Sequence, residues 1–129
     1  MPEAPSPREF LIACLCAEWC DNCRKYRPGF LALAEEFPQA DFRWVDIEDE
    51  ADHVGDIEVE NFPTLLIQRG EDVLFYGPLL PHIDHLRRLV AVFLGQTPAE
   101  SQAYATATPE RAAWQEETFN LRARLPEQD

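Results

Sequence analysis

Basic residues are scarce in this chain. Its 129 residues include 11 lysines and arginines against 24 aspartates and glutamates, a formal net charge of −13. Such a charge argues against nucleic acid and anionic membrane surfaces as partners and favours basic or neutral ones. Long apolar runs are also missing, because no stretch approaches the roughly twenty residues of a membrane helix. We therefore expect neither a nucleic-acid nor a membrane partner.

A secretory signal is absent from residues 1–9, which contain three prolines and charges of both signs but no apolar core. Unless a signal peptide has been removed, this predicts a cytoplasmic location, where thiols are kept reduced. The sequence also lacks a Ser-His-Asp arrangement, a phosphate loop and a dinucleotide fingerprint. The acidic run 46–50 is interpreted as solvated loop surface without a function.

Four cysteines are present, and two of them form a Cys-x-x-Cys pair. Cys20 and Cys23 lie where an apolar run, 10–17, gives way to a helical pattern beginning at Cys20. Thiols spaced in this way across the first turn of a helix can form a disulfide, and the helix dipole favours the thiolate of the first one. Cys20 is the predicted nucleophile, and Cys23 is the predicted resolving thiol that attacks a mixed disulfide at Cys20. The motif alone also fits half of a zinc site or a structural clip.

A second motif supplies context: the segment 62–66, Phe-Pro-Thr-Leu-Leu, has a proline at the head of an apolar strand. With it, the chain resembles the thioredoxin family over nearly all of residues 8–95, through Ala17-Glu18-Trp19-Cys20, Cys23, Pro28, Phe62-Pro63-Thr64-Leu65-Leu66 and Gly70. The resemblance implies a thiol–disulfide exchange enzyme, with Pro63 in the cis form against the cysteine pair.

The resemblance also implies how a substrate is held and what the reaction needs. Pro63 and its neighbour Phe62, with Trp19 shaping the surface, are expected to dock the backbone of an extended client segment. We expect no bound cofactor and no metal, because a Cys20–Cys23 disulfide carries the two electrons itself. The expected partners are protein disulfides and an unidentified reductase or dithiol donor, while no sequence signal sets the oligomeric state.

The residues between the two cysteines depart from the family pattern. Asp21 and Asn22 replace the usual glycine and proline, and this dipeptide tunes the relative stability of thiolate and disulfide. A negative charge at Asp21 opposes a thiolate at Cys20, whereas the Asn22 amide can donate a hydrogen bond to sulfur. The net direction of the two effects stays open.

Proton handling is also expected to differ from the family pattern. Cys14 and Trp44 stand where the family has a buried aspartate and a lysine that assist the resolving cysteine. Water or a carboxylate such as Glu18 is the expected substitute. We predict slower or more strongly pH-dependent reduction.

Cys14 and Cys16 are two residues apart on a predicted strand, so their side chains share one face of the sheet. Three interpretations are open. Both are small core residues, or one of them is an auxiliary thiol that exchanges with Cys23, or all four cysteines together bind zinc or an iron–sulfur cluster.

The order of periodic segments predicts an α/β, thioredoxin-like fold over residues 8–95. Its core is a minimal β-α-β-(α)-β-β-α unit with a central mixed sheet flanked by helices. The predicted strands are 10–16, 42–47, 65–68 and 73–76. The nine N-terminal residues cannot supply the strand and helix that thioredoxin usually has before this core.

A C-terminal helical extension is predicted over residues 96–129. Threonine followed by proline at Thr97 and Thr108 predicts two helix starts. One continuous helix is expected from 109 to about 124, with Trp114, Leu121 and Leu125 on its apolar face and Phe119 off it. It is expected to pack onto the core or a second subunit, and a loosely attached tail is the alternative.

These patterns predict a protein-dithiol oxidoreductase. The alternative is a non-catalytic or redox-sensing thioredoxin-like module that binds or assembles with a specific partner protein. The altered dipeptide between the cysteines, the absence of the family's buried aspartate and the added C-terminal helix are all compatible with that alternative.

Overall fold

A four-stranded mixed sheet forms the centre of the protein. The computed structural model describes residues 9–55, 57, 59, 61–79 and 82–125, so the domain start predicted at residue 8 lies outside them. The strands are β1 (Phe10–Cys16), β2 (Asp41–Asp46), β3 (Thr64–Arg69) and β4 (Asp72–Pro78). Their order is β2-β1-β3-β4, with β1 parallel to β2 and antiparallel to β3, and with β4 antiparallel to β3. The predicted mixed sheet and the order of core elements are confirmed.

Helices flank the sheet. They are α1 (Asp21–Glu36), α2 (Ala51–Val54), α3 (Ile83–Leu94), α4 (Pro98–Ala105), α5 (Pro109–Ala113) and α6 (Leu121–Arg124), with a 3-10 helix at Glu117–Phe119. The helical pattern predicted to begin at Cys20 forms α1, and its apolar residues Tyr26, Phe30 and Leu33 are buried. Among the described residues, no helix combines the length and the apolar character that crossing a membrane requires.

The central strand β1 is buried along its whole length and divides the core in two. Alternate side chains of a strand point to opposite faces. The cysteine face carries Phe10, Ile12, Cys14 and Cys16, which pack with α1 and α3. The opposite face carries the side chains of residues 11, 13 and 15, which pack with α2 and the C-terminal segment.

The hairpin between β3 and β4 has a two-residue turn, whereas the predicted strands 65–68 and 73–76 leave four residues, 69–72, between them. Arg69 and Asp72 already pair as strand residues, and Gly70 and Glu71 make the turn. Gly70 has φ +57°, a conformation that favours glycine because a Cβ there would lie too close to the adjoining backbone carbonyl. Its N–H donates to the Glu9 carbonyl at 2.8 Å, which ties the turn to the start of β1.

The extension packs on the core of its own chain. Both predicted helix starts are confirmed: Thr97 and Glu100 form a capping box, and the Thr108 side chain accepts from the Arg111 N–H. The predicted continuous helix over 109–124 is wrong, because the segment divides into α5, the 3-10 helix and α6.

The division of this segment follows from its contacts with the sheet. After α5 the chain turns so that the Gln115 side chain reaches the outer edge of β4, where it bonds both the N–H and the carbonyl of Val73. Phe119, predicted to lie off the packed face, contacts Tyr76 with ring centres 4.9 Å apart. Leu121 is fully buried against the opposite face.

Candidate active site

The cysteine pair lies where β1 leads into α1. A tight turn follows β1, closed by the Cys20 N–H donating to the Ala17 carbonyl at 3.0 Å. Cys20 is the N-cap residue of α1, with extended backbone and no side chain capping the helix. It is half-buried, whereas Cys23, on the inner face of the first turn, is only 1% exposed. An external sulfur therefore reaches Cys20 more readily than Cys23.

Cys23 is bonded to Cys16 in this structure, not to Cys20 as the Cys-x-x-Cys motif predicted. Cys20 and Cys14 are free thiols. The physical reason is packing: the inner face of α1 lies over the end of β1, which places the Cα atoms of Cys16 and Cys23 5.8 Å apart. This distance is usual for a disulfide. While Cys16 and Cys23 are joined, they are not available as separate thiolate ligands of a four-cysteine metal site.

The residues predicted to dock a client gather beside Cys20. Trp19 is 64% exposed, and its ring packs nearly perpendicular to the Phe62 ring with centres 5.5 Å apart. The indole N–H of Trp19 donates to the Glu48 carboxylate at 2.7 Å, which fixes the ring direction. Phe62 precedes Pro63, and the peptide bond between them is cis. Their roles in substrate binding stay predictions.

Asp21 and Asn22 are both exposed on the first turn of α1. Asp21 forms an ion pair with Arg24 one turn further along, and Arg24 also donates to the Glu18 carbonyl at 3.1 Å. The positive charge of Arg24 offsets the negative charge that Asp21 places near Cys20. Within the described ranges, the Asn22 amide makes no hydrogen bond to sulfur.

Cys14 is completely buried beneath the site, with its sulfur 3.5 Å from that of Cys16. Burial raises the pKa of the Cys14 thiol because the interior disfavours a charged thiolate. Cys14 is therefore protonated at neutral pH. Trp44 pairs with it across β1 and β2, and the Arg27 guanidinium lies 5.5 Å from the centre of the Trp44 ring.

Tyr26 is a second buried titratable group near Cys14. Burial raises the pKa of its hydroxyl, and a negative charge on Cys14 would raise that pKa further. Within the part of the chain that the structure describes, the hydroxyl has no hydrogen-bond partner. Neither Tyr26 nor Cys14 is suited to exchange protons at neutral pH.

A cleft of about 310 Å³ opens beside Cys23, the buried cysteine of the Cys-x-x-Cys motif. Cys23 and Glu18 both line it, together with Arg27 and Trp44. The cleft therefore gives water a route toward Cys23 and places a carboxylate at its wall. Glu18 as the proton carrier remains a prediction.

Comparison with known proteins decides the family. A sequence profile of the thioredoxin family matches residues 5–77. The chain belongs to the thioredoxin family. Its homologues in that family are disulfide oxidoreductases.

Individual thioredoxins resemble the chain to different extents. A Streptomyces coelicolor protein designated thioredoxin 2 is 31% identical over 104 residues, which cover 75% of this chain and 78% of the relative. Thioredoxin H2 of Arabidopsis thaliana is 29% identical over 72 residues, 55% of this chain, so the alignment spans about half, 54%, of that relative.

Solved thioredoxin structures share the fold. Thioredoxin from Trypanosoma brucei brucei superposes with a TM-score of 0.62 at 24% identity, covering 71% of this chain and 80% of the other. A poplar thioredoxin h gives a TM-score of 0.62 at 20% identity, covering 69% and 79%. The thioredoxin fold predicted from the sequence is confirmed.

Sequence reasoning missed the part that the acidic run 46–50 plays in this thioredoxin site. The Asp46 carboxylate accepts the backbone N–H groups of Glu18, Glu48 and Asp49 at 3.2, 2.9 and 3.1 Å, and Glu48 holds Trp19. The run thus braces the active-site turn, contrary to its interpretation as surface without a function. A signal was available: Asp46 ends a strand parallel to β1, so it lies at the same end of the sheet as Cys16.

Proposed function

We propose that the protein exchanges disulfides with client proteins through Cys20 and Cys23. In the reduced protein, the Cys20 thiolate attacks one sulfur of a client disulfide, that bond breaks, and the client leaves on its other sulfur as a thiolate. Cys23 then attacks the Cys20 sulfur of the mixed disulfide, forms the Cys20–Cys23 disulfide and releases the reduced client. A reductase or another dithiol returns the two electrons.

The observation that carries this proposal is the contrast between the two thiols. Cys20 is half-buried at the N-cap of α1, next to the Trp19–Phe62 ring pair, whereas Cys23 is buried one turn below. A client disulfide approaching along this surface meets Cys20 first. The resolving step is then intramolecular, which separates the roles of the two sulfurs.

Charge around the site supports basic or neutral clients. Glu18, Glu48 and Asp49 line the surface beside Trp19, with Arg24 as the basic residue of that lining. The overall charge of −13 has the same sign. Long-range attraction therefore favours clients with positive charge near their disulfide.

The cellular setting and the domain limits belong to the same proposal. A reducing compartment such as the cytoplasm keeps the dithiol supplied with electrons. We assign the exchange chemistry to the thioredoxin-like domain, 8–95, and support of its sheet to the extension, 96–129.

Insulin disulfide reduction with dithiothreitol as electron donor tests the function. We expect the wild type to accelerate reduction and Cys20→Ser to lose that acceleration by at least about 100-fold, because no other half-buried thiol replaces the nucleophile. Cys23→Ser should instead accumulate a mixed disulfide with insulin that disappears on reduction. Thermal unfolding of each variant checks that it is folded. A wild type no faster than dithiothreitol alone would refute the proposal, as would a Cys20→Ser variant at the wild-type rate.

A further inference from the structure

The Cys23 sulfur can form a disulfide with either of two other cysteines. Cys20 lies one helical turn before it in the Cys-x-x-Cys spacing, at the surface. Cys16 lies below it at the end of β1, and the structure joins these two residues, each 1% exposed. The second pairing is produced by packing of α1 on the sheet.

We propose that Cys16 is a third redox-active cysteine, which exchanges with Cys20 for Cys23 and so moves the active-site disulfide from the surface into the interior. The inference rests on the proposed function, since that reaction is what produces the Cys20–Cys23 disulfide. It selects one of the interpretations left open by the sequence, in which a β1 cysteine acts as an auxiliary thiol.

The exchange is balanced within the chain. The Cys16 thiolate attacks the Cys23 sulfur of the Cys20–Cys23 disulfide, the Cys16–Cys23 bond forms, and Cys20 leaves as a thiolate. The proton lost by Cys16 is matched by the proton that Cys20 takes up. One disulfide replaces another, so the step requires no external oxidant or reductant.

Position distinguishes Cys16 from its neighbour Cys14. Cys14 lies two residues earlier on β1, and its sulfur is not joined to Cys23. Burial also raises the pKa of the Cys14 thiol. Cys16 adjoins Ala17, which lines the same cleft as Cys23 and Glu18. This cleft offers the Cys16 proton a path to solvent.

The exchange would give the oxidised protein a distinct state. Its disulfide would be shielded from external reductants, while Cys20 would be free to form a mixed disulfide. With Cys23 held by Cys16, that mixed disulfide would persist until the reductase or dithiol donor supplied two electrons to reduce the buried bond. Cys16 would therefore set the balance between rapid release of a client and its retention.

Thiol counting in variants without Cys20 tests the proposal. The 129-residue Cys20→Ser protein has three cysteines. It is first reduced and then oxidised with diamide, after which it is quenched in acid, unfolded and alkylated with a maleimide. We expect the monomer to fall from three alkylated thiols to one. Cys16→Ser/Cys20→Ser should keep both of its thiols, whereas the matched control Cys14→Ala/Cys20→Ser should lose both of its thiols. Three thiols remaining in oxidised Cys20→Ser would overturn the proposal.

Disulfide mapping gives a second measurement, and its deciding result comes from the wild type, so that result does not depend on the folding of a variant. Cleavage after Glu18 and before Asp21 places Cys14 and Cys16 on one fragment, Cys20 on a second and Cys23 on a third. We expect oxidised wild type to contain the first and third fragments linked, Cys14→Ala to retain that link and Cys16→Ser to lose it. Only the Cys20–Cys23 link in oxidised wild type would refute the exchange.

The insulin assay separates this inference from the proposed function. A protein that reduces insulin but never links Cys16 to Cys23 refutes the exchange alone. A protein that links Cys16 to Cys23 but does not accelerate insulin reduction refutes the oxidoreductase function and, with it, the source of the exchanging disulfide.

Discussion

The two faces of the sheet differ in what they carry. The cysteine face presents Cys14 and Cys16 to α1, and the proposed thiol exchange lies at the end of β1 that leads into α1. The opposite face presents aliphatic residues of the same strand to α2 and α6, with Leu121 buried among them. One strand thus serves two purposes, because alternate residues point to opposite sides.

This difference predicts that substitutions on the two faces affect different properties of the protein. Substitutions on the opposite face should change the free energy of unfolding and leave the exchange chemistry of folded molecules as it is. Changes to the sulfurs of the cysteine face should alter the chemistry or its pH dependence.

Leu121→Ala tests how firmly the extension supports the opposite face. Leu121 is fully buried, so its truncation should lower the free energy of unfolding by about 2–5 kcal/mol, as measured by urea denaturation. The insulin reduction rate per folded molecule should stay at the wild-type value.

The matched control is Leu31→Ala on α1, where the leucine is 49% exposed and a change below about 1 kcal/mol is expected. If the two substitutions cost the same, the extension is a loosely attached tail and the comparison of the two faces fails.

Gln115→Ala tests the edge of the sheet. The Gln115 amide bonds both backbone groups of Val73 and also donates to the carbonyls of Ala105 and Arg111. Its loss should cost about 1–3 kcal/mol, because it leaves partly buried groups without partners. The exposed Gln102 provides a control, and Gln102→Ala should be nearly neutral in the same denaturation experiment. Equal costs for both glutamines would contradict the bridging role.

The buried thiol of Cys14 predicts a pH dependence that belongs to the cysteine face. Its pKa is raised in the folded protein, so above the ordinary thiol pKa of about 8.5 the unfolded chain loses a proton that the folded chain retains. Below that pH, the raised pKa of Cys14 makes its full contribution to the free energy of unfolding. Above it, stability should fall by up to about 1.4 kcal/mol per pH unit for this group.

Cys14→Ala should remove this part of the alkaline loss. Urea denaturation of both proteins between pH 8 and 10.5, with a phosphine reductant present throughout, measures the difference. Parallel stability curves for wild type and Cys14→Ala would show that Cys14 ionises equally in the folded and unfolded states.

Local patterns in the sequence predicted most of the fold. The apolar run of β1, the helical stripe of α1 and the threonine–proline starts at Thr97 and Thr108 each act within a few residues, and each was confirmed. The family motif likewise led to the correct fold, because it joins distant segments through a known architecture.

Long-range packing accounts for what the sequence did not reveal. The break in the predicted 109–124 helix depends on Gln115 reaching β4 and on Phe119 reaching Tyr76, contacts between segments far apart in the chain. The Cys16–Cys23 bond depends in the same way on how α1 lies over β1. Helical periodicity describes one segment at a time and contains no information about contacts between distant segments.

The position of Gln115 also has a consequence for self-association. An outer strand with unpaired backbone groups is a template on which another chain can add a strand. At Val73 the glutamine amide occupies the donor and the acceptor that such a strand would use. An incoming strand would have to displace the Gln115 side chain before it could pair with Val73. This single side chain therefore disfavours polymerisation at the β4 edge.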